Sequence, residues 1–211
     1  MLTSFFSSIT FQAWFNGLLT GLGLFAVVGA QSAFIIRQGL MRSHIMTIII
    51  VCCLTDAIFI FASVIGLKEL ILLAPWFKDF ILILGIIFLL CYSWKSAKKA
   101  FKKSSNIEST NYIIYSKQSV ILTTLGFSLL NPHFWLDMIL IGSLANVYEN
   151  ASMAYAFGSL TASILWLNLL GLGARLCAPI FSKPKAWRIL DGTIAIIMIV
   201  MVILLLRQYM S

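Results

Sequence analysis

Two acidic residues, Asp56 and Asp137, stand inside long apolar stretches of the sequence. An acid near the middle of a membrane helix costs roughly 2.5–3.5 kcal/mol on insertion scales, so it usually marks a functional site. Two carboxyl groups that face one cavity would attract cations, and we predict that both contribute to substrate binding. The competing interpretation is that Asp56 is protonated and hydrogen-bonded to a neighbouring helix for packing alone.

Gly29 and Pro132 mark two positions at which a membrane helix is expected to break. Glycine permits non-helical backbone, and proline lacks the backbone N–H and clashes with the preceding turn. Gln31 and Ser32 follow the first break, and Asn131 stands at the second. Their side chains could satisfy the freed backbone groups or contact a substrate. Packing between helices through hydrogen bonds is the alternative for each of them.

His133 and Trp166 complete the set of candidate site residues. A histidine can titrate near neutral pH, so His133 could relay a proton or simply hydrogen-bond a carbonyl. Asp56 and His133 are therefore the candidates for proton coupling. Trp166 could line the substrate path by a cation–π contact, although packing would also explain it.

These residues must be positioned by membrane helices, because 61% of the chain is hydrophobic and only 10% is charged. A soluble domain has about 45–50% apolar and about 25% charged residues. Six apolar spans can be drawn, at 14–36, 44–67, 70–94, 119–144, 151–176 and 189–206. Each has about the length that crosses roughly 30 Å of hydrocarbon as a helix. We therefore predict an all-α membrane protein with about six transmembrane helices.

Charge asymmetry predicts the orientation of these spans. Of the 15 basic residues, 12 lie in the loops after spans one, three and five, among them Arg37, and 3 lie on the opposite side. The positive-inside rule then places the odd-numbered loops in the cytoplasm and both termini outside. The basic stretch 95–118 is predicted to be a polar cytoplasmic loop. It joins two half-repeats, at about 1–94 and 119–211, within one transport domain that covers 1–211.

Three spans in each half force the second half to enter the membrane upside down. Many transporters are such inverted repeats, with broken helices at corresponding positions. Spans one and four carry the two predicted breaks, so we expect two inverted three-helix repeats. The abundant Phe and Met residues are interpreted as lipid-facing.

Several motifs resemble those of the lysine/arginine exporter family, of the LysE and ArgO type. They are Gly29-Ala30-Gln31-Ser32-Ala33-Phe34, Asp56 after Cys52 and Thr55, and Asn131-Pro132-His133-x-x-Leu136-Asp137. Gly142-Ser143 and Gly158-x-x-x-Ala162-Ser163-x-x-Trp166 are similar to the family too. The resemblance covers nearly the whole chain. It implies export of L-arginine or L-lysine across the bacterial inner membrane.

The leading hypothesis is a secondary exporter of basic amino acids, working as an antiporter with proton entry. We expect no enzyme activity, cofactor, metal site or nucleic-acid partner. The partners would be the amino acid, protons and the lipid bilayer, and a homo-oligomer is compatible with the sequence. A metal-cation exporter or a neutral amino-acid exporter is the transport alternative. A membrane-embedded redox carrier is the alternative from another class, but it would need paired reactive cysteines, and there is no C-x-x-C motif.

Overall fold

The computed structural model describes residues 2–27, 29–66, 75–101, 116–179 and 184–210. These residues form eight α-helices, with a 3-10 turn at Glu149–Ala151. Helices satisfy their own backbone hydrogen bonds, which a chain in lipid requires. The prediction of an all-α membrane protein is confirmed. The helices are α1 (Leu2–Phe25), α2 (Ala30–Leu40), α3 (Ile45–Ile65), α4 (Pro75–Phe101), α5 (Lys117–Leu129), α6 (Pro132–Asn146), α7 (Ser152–Cys177) and α8 (Pro184–Met210).

Four stretches of helix in the described part of the chain are long and apolar enough to cross a membrane. They are Ile45–Ile65, Asp79–Lys98, Glu149–Cys177 and Ala186–Arg207. The pair Ser8–Phe25 and Ala30–Leu40 would be a fifth span if its two bent parts are taken together. By length and composition the protein is therefore a multi-pass membrane protein with four to five such spans.

Both helix breaks lie close to the positions expected from the sequence. The axes of α1 and α2 meet at 82°, and Gly29 is the N-cap of α2. Gln31 and Ser32 therefore stand in the first turn of α2 and not within the break itself. In the second break, α5 ends at Leu129, Asn131 is the N-cap of α6, and Pro132 is the first residue of α6.

The predicted polar loop at 95–118 is wrong at both ends. Residues 95–101 continue α4, seven residues beyond the predicted end of the third span, and residues 117–118 begin α5. Hydropathy finds the apolar part of a helix, whereas a helix that extends beyond the hydrocarbon carries polar residues. Lys98 illustrates this, because its Nζ lies 5.3 Å from the ring centroid of Trp94, one turn earlier. The rest of this loop, at 102–115, and the boundary between spans two and three, at 67–74, lie outside the described residues.

Helix α3 runs through the middle of the molecule and contacts two apolar clusters. Cys52 belongs to a cluster that also contains residues of α2, α4, α5, α7 and α8. Ile60 belongs to a second cluster, formed with α1, α6 and α7. The opposite face of α3 carries exposed apolar side chains at every fourth residue, which suits contact with lipid. They are Met46, Ile50, Leu54 and Ile58.

Small residues bring α1 and α7 into direct backbone contact. A Cβ atom at Gly158 would collide with the carbonyl oxygen of Trp14, and one at Gly17 would collide with the carbonyl oxygen of Tyr155. Ser159 donates a hydrogen bond to the Gly17 carbonyl at 3.1 Å. Close approach at small residues is the usual way to pack helices in a membrane, where the hydrophobic effect gives little help.

Arg37 is buried inside the protein, so its predicted position in a loop is wrong. Helix α2 continues to Leu40, and the Arg37 side chain points back into the bundle. Its Nε donates to Oδ1 of Asp191 on α8 at 2.8 Å, with side-chain exposures of 6% and 9%. The ion pair offsets part of the desolvation penalty that either charge alone would have at this depth.

Candidate functional site

A cavity of about 340 Å³ opens between the two helix breaks. All seven predicted substrate-contact residues line it, and so does Gly29; we call it the acidic cavity. Pro132 is outside its lining and acts through the backbone, as the first residue of α6. The seven residues are Gln31, Ser32, Asp56, Asn131, His133, Asp137 and Trp166.

Asp56 lies at the junction of the two apolar clusters. It is one helical turn from Cys52 in the first cluster and one turn from Ile60 in the second, on the inner face of α3. Only 4% of its surface is exposed. Ser163 of α7 donates a hydrogen bond to Asp56 Oδ2 at 2.5 Å. This bond fixes one carboxylate oxygen and leaves lone pairs on the other oxygen for a cation or a proton.

Ser163 is a site residue that the sequence reasoning did not select. It lines the acidic cavity and is almost fully buried, at 1% exposure. A signal for it was present, since a polar residue three positions before Trp166 lies on the same face of a helix as Trp166. That spacing alone does not identify a partner 107 residues away in the sequence.

Two helix N-termini border the acidic cavity. Helix α2 begins beside Gly29, and no side chain caps its first turn. Helix α6 begins at Asn131, whose side chain accepts a hydrogen bond from the His133 backbone N–H at 3.1 Å. The first backbone N–H groups of a helix lack intrahelical acceptors, and the helix dipole adds partial positive charge there. The uncapped start of α2 is therefore the better position for an anionic group of a ligand.

The polar side chains between the two breaks differ in what remains available to a ligand. Gln31 donates to Ser128 Oγ and Cys52 Sγ, each at 3.3 Å, and so connects α2 to α5 and α3. The buried indole N–H of Trp166 has no hydrogen-bond partner among the described residues. A buried donor without an acceptor is unfavourable, so Trp166 is ready to donate to a ligand oxygen.

In the described part of the chain, the lining of the acidic cavity contains two carboxyl groups and neither Lys nor Arg. Such a cavity favours a ligand with positive charge. Among the described residues, no three of His, Cys, Asp and Glu are grouped closely enough to hold a metal ion.

The sequence pattern of the family described as LysE type translocator matches residues 22–209 of this chain. The chain belongs to the LysE type translocator family. The matched residues include both helix breaks and every residue that lines the acidic cavity.

Relatives within the LysE type translocators agree in length with this chain. The arginine exporter protein ArgO of Klebsiella pneumoniae is 30% identical over 203 residues, which cover 95% of this chain and 96% of that protein. The protein of the same name from Escherichia coli is 30% identical over 190 residues, or 89% of this chain and 90% of that protein. The one from Pectobacterium carotovorum is 30% identical, and the match covers 89% of this chain and 93% of that protein. No solved structure matches this chain significantly.

Proposed function

We propose that this protein exports L-arginine, with L-lysine as a second substrate, across the bacterial inner membrane. Relatives that are about 30% identical over most of the chain are named arginine exporters, and they come from bacteria. The observation that carries the proposal in this chain is the acidic cavity, which has two carboxyl groups and, among the described residues, neither Lys nor Arg. A neutral amino acid has a single cationic group, its ammonium, and could pair with only one of the two carboxylates.

The groups of arginine can be matched to the lining of the cavity. Its guanidinium and its α-ammonium suit the carboxylates of Asp56 and Asp137, because charge-assisted hydrogen bonds to a carboxylate are strong and directional. Its α-carboxylate suits the uncapped first turn of α2, with the indole N–H of Trp166 as a further donor. Gln31, Ser32, Asn131 and His133 would contact the substrate from the two breaks.

We also infer that the chain is an inverted repeat of two halves, α1–α4 and α5–α8, with six membrane crossings. The helix contacts support this repeat. If each helix of the first half is exchanged for its counterpart in the second half, α1 for α5 through α4 for α8, the main contacts between helices are reproduced. Helices α1 and α2 pack on α7, just as α5 and α6 pack on α3. The same exchange turns the contact between α2 and α8 into the contact between α6 and α4. It leaves two contacts unchanged, the one between α3 and α7 and the one between α4 and α8. In this arrangement α5 and α6 together form the fourth, broken span.

Two glycines support the same correspondence. A Cβ atom at Gly39 of α2 would lie 2.7 Å from the carbonyl oxygen of Gly171 on α7. A Cβ atom at Gly142 of α6 would collide with the carbonyl oxygen of Ser63 on α3. Each glycine stands nine or ten residues after the start of its half-helix, so the two close approaches are equivalent under the exchange of halves.

Proton entry would supply the driving force for export. Moving one positive charge outward costs about 2.3 kcal/mol per 100 mV of membrane potential, or roughly 3.5 kcal/mol at about 150 mV. This corresponds to a roughly 300-fold gradient, so an uncoupled path would let arginine run inward. Exchange of one proton for one arginine cancels the electrical cost. Asp56 is the first candidate for the shared site and His133 the second, with Asp137 and Cys52 as the neighbouring titratable groups.

The test is efflux of radiolabelled arginine from cells that lack their own exporter, with and without this gene. Cells with the gene should export arginine faster and should export cadmium at the background rate. Asp56→Asn should abolish the gain, because it removes the charge with little change in shape. Asp79→Asn is the matched control, since Asp79 is an exposed acid on α4. Normal arginine export by the Asp56 variant would contradict the proposed site, and no export by the unmodified protein would contradict the substrate.

A further inference from the structure

A second cavity, of about 140 Å³, lies between α2, α4 and α5. It is separate from the acidic cavity, and its lining has the opposite charge. Its polar residues are Gln38, Lys95, Ser96, Ser119 and Thr123. Gln38 and Ser96 are buried, and polar side chains that are buried beside a cavity indicate a candidate binding site.

The side-chain oxygen of Gln38 is a hydrogen-bond acceptor in the lining of this cavity. The residue is 2% exposed, and its Oε1 has no hydrogen-bond partner among the described residues. Buried amide oxygens are nearly always satisfied, so an unpaired one beside a cavity indicates that the donor belongs to a ligand. A primary ammonium group is a suitable donor, because its three N–H groups can reach the oxygen from several directions.

Lys95 gives the same cavity a cation. Its ammonium can pair with a carboxylate, and Ser96 and Ser119 add hydroxyl donors on two different helices. The backbone N–H of Ser119 is already capped by Ser116 Oγ at 3.2 Å, so the donors that remain for a carboxylate are the Lys95 ammonium and the two hydroxyl groups. One cavity therefore combines an acceptor for an ammonium with donors for a carboxylate, which are the two groups that every free α-amino acid carries.

The two cavities lie in series along the same helices. Gln31 of the acidic cavity and Gln38 of the second cavity share one face of α2, seven residues and about 10 Å apart. Phe34 stands between them on that face and packs against Phe127 of α5, with ring centroids 4.9 Å apart. On α5, Thr123 lines the second cavity, and Phe127 follows it by one turn, before the break at Asn131.

These rings belong to an aromatic layer that separates the cavities. Phe88 and Tyr92 of α4 each pack on Phe127, with centroids 4.8 Å apart in both pairs. Phe34 also meets Tyr92 edge to face at 6.1 Å. A substrate that moved along α2 and α5 from one cavity to the other would have to pass this layer.

We propose that the second cavity is an additional amino-acid site on the transport path, which holds the α-ammonium at Gln38 and the α-carboxylate at Lys95. The proposal rests on the proposed function and extends it. Because the cavity is small, it recognises the part common to all amino acids, while the acidic cavity recognises the basic side chain. Glycine, which has only the common part, is therefore a probe for the second site alone.

The experiment measures equilibrium binding of radiolabelled L-arginine to the purified full-length protein in lipid nanodiscs. We expect two arginines per chain, and an excess of glycine should displace one of them. Gln38→Leu and Lys95→Gln should each weaken the glycine-sensitive site at least 10-fold and leave the other unchanged. Asp56→Asn should do the reverse. Gln118→Leu, an exposed glutamine on α5, is the matched control and should keep both sites.

The other possible results contradict either the second site alone or the substrate assignment as well. One arginine per chain, or a second site that is unaffected by both Gln38→Leu and Lys95→Gln, would overturn the second site and leave arginine export intact. Absence of any arginine binding would overturn the substrate assignment together with the second site. Lys95 is exposed, so its variant provides a test that does not depend on the folding of the buried Gln38 variant.

Discussion

Removing one partner of the ion pair between Arg37 and Asp191 should destabilise the protein strongly. The two side chains are at most 9% exposed, and their charged atoms are 2.8 Å apart. Arg37→Met leaves the Asp191 carboxylate buried without this cation, and Asp191→Leu removes this carboxylate from a guanidinium that also donates to Met41 Sδ at 3.2 Å. An uncompensated buried charge of this kind costs about 3–5 kcal/mol. For a chain of this size, this corresponds to a fall in Tm of roughly 6–20 °C.

The double variant Arg37→Met with Asp191→Leu should recover most of this loss. Both charges are then absent, and apolar residues of similar volume often replace a buried ion pair at little cost. Independent effects would instead sum to about 6–10 kcal/mol, so the expected coupling is larger than the error of the measurement. The pair is therefore a case in which two substitutions should be less harmful than either one.

Thermal unfolding of the purified protein in detergent, followed by intrinsic tryptophan fluorescence, measures this coupling. Arg175→Met is the matched control, because Arg175 is an exposed arginine in the last turn of α7. It should change stability by less than about 1 kcal/mol. A double variant that is as unstable as the sum of the single variants would refute the reasoning, and so would a single variant with the stability of the control.

Four further predictions follow from the site and the packing. Cys52→Ser with Cys53→Ser should retain most arginine export, whereas loss of export would favour the redox alternative. Gly158→Ala should lower the Tm in detergent by several degrees, because overpacking costs about 1–3 kcal/mol, while Gly173→Ala, with open space at its Cβ, should not. A single cysteine placed at Lys99 should be labelled from the cytoplasm and one at the C-terminus from outside; a cytoplasmic C-terminus would remove the inverted repeat. In proteoliposomes, arginine flux should respond to an imposed pH gradient, and a flux that follows membrane potential alone would contradict proton exchange.

The residues of the acidic cavity could be predicted because they are of types that are rarely found inside membrane helices. A carboxyl group in an apolar span and a proline inside a helix are both costly, so Asp56, Asp137 and Pro132 can be recognised without knowledge of the fold. The structure places the predicted substrate-contact residues around one cavity. Their roles in binding and proton transfer stay predictions until transport is measured.

The aromatic layer and the buried ion pair could not be predicted in the same way. In a membrane both the lipid and the protein interior are apolar, so hydrophobic periodicity does not tell which face of a helix is buried. The interpretation of the phenylalanines as lipid-facing is wrong for Phe34 and Phe127, which are 2% and 1% exposed. Arg37 lies next to the end of a predicted span, where a cation is solvated and needs no partner. Its partner Asp191 is 154 residues away in the sequence, so no local pattern indicates the pair.

The pair of acids also bears on the choice between basic and neutral substrates. A basic amino acid brings two cationic groups, which match the two carboxyl groups of the acidic cavity. A neutral amino acid brings only its ammonium, so one carboxylate would remain buried without a partner or would first have to take up a proton. If Asp56, which is 4% exposed, is the carboxylate left without a cation, the cost approaches the about 3–5 kcal/mol of an unpaired buried charge, or a discrimination of roughly 10²–10³-fold; for the partly buried Asp137 it is smaller. Selectivity of this size needs no contact that measures the length of the side chain, because it arises from the charge that the wrong substrate leaves unpaired.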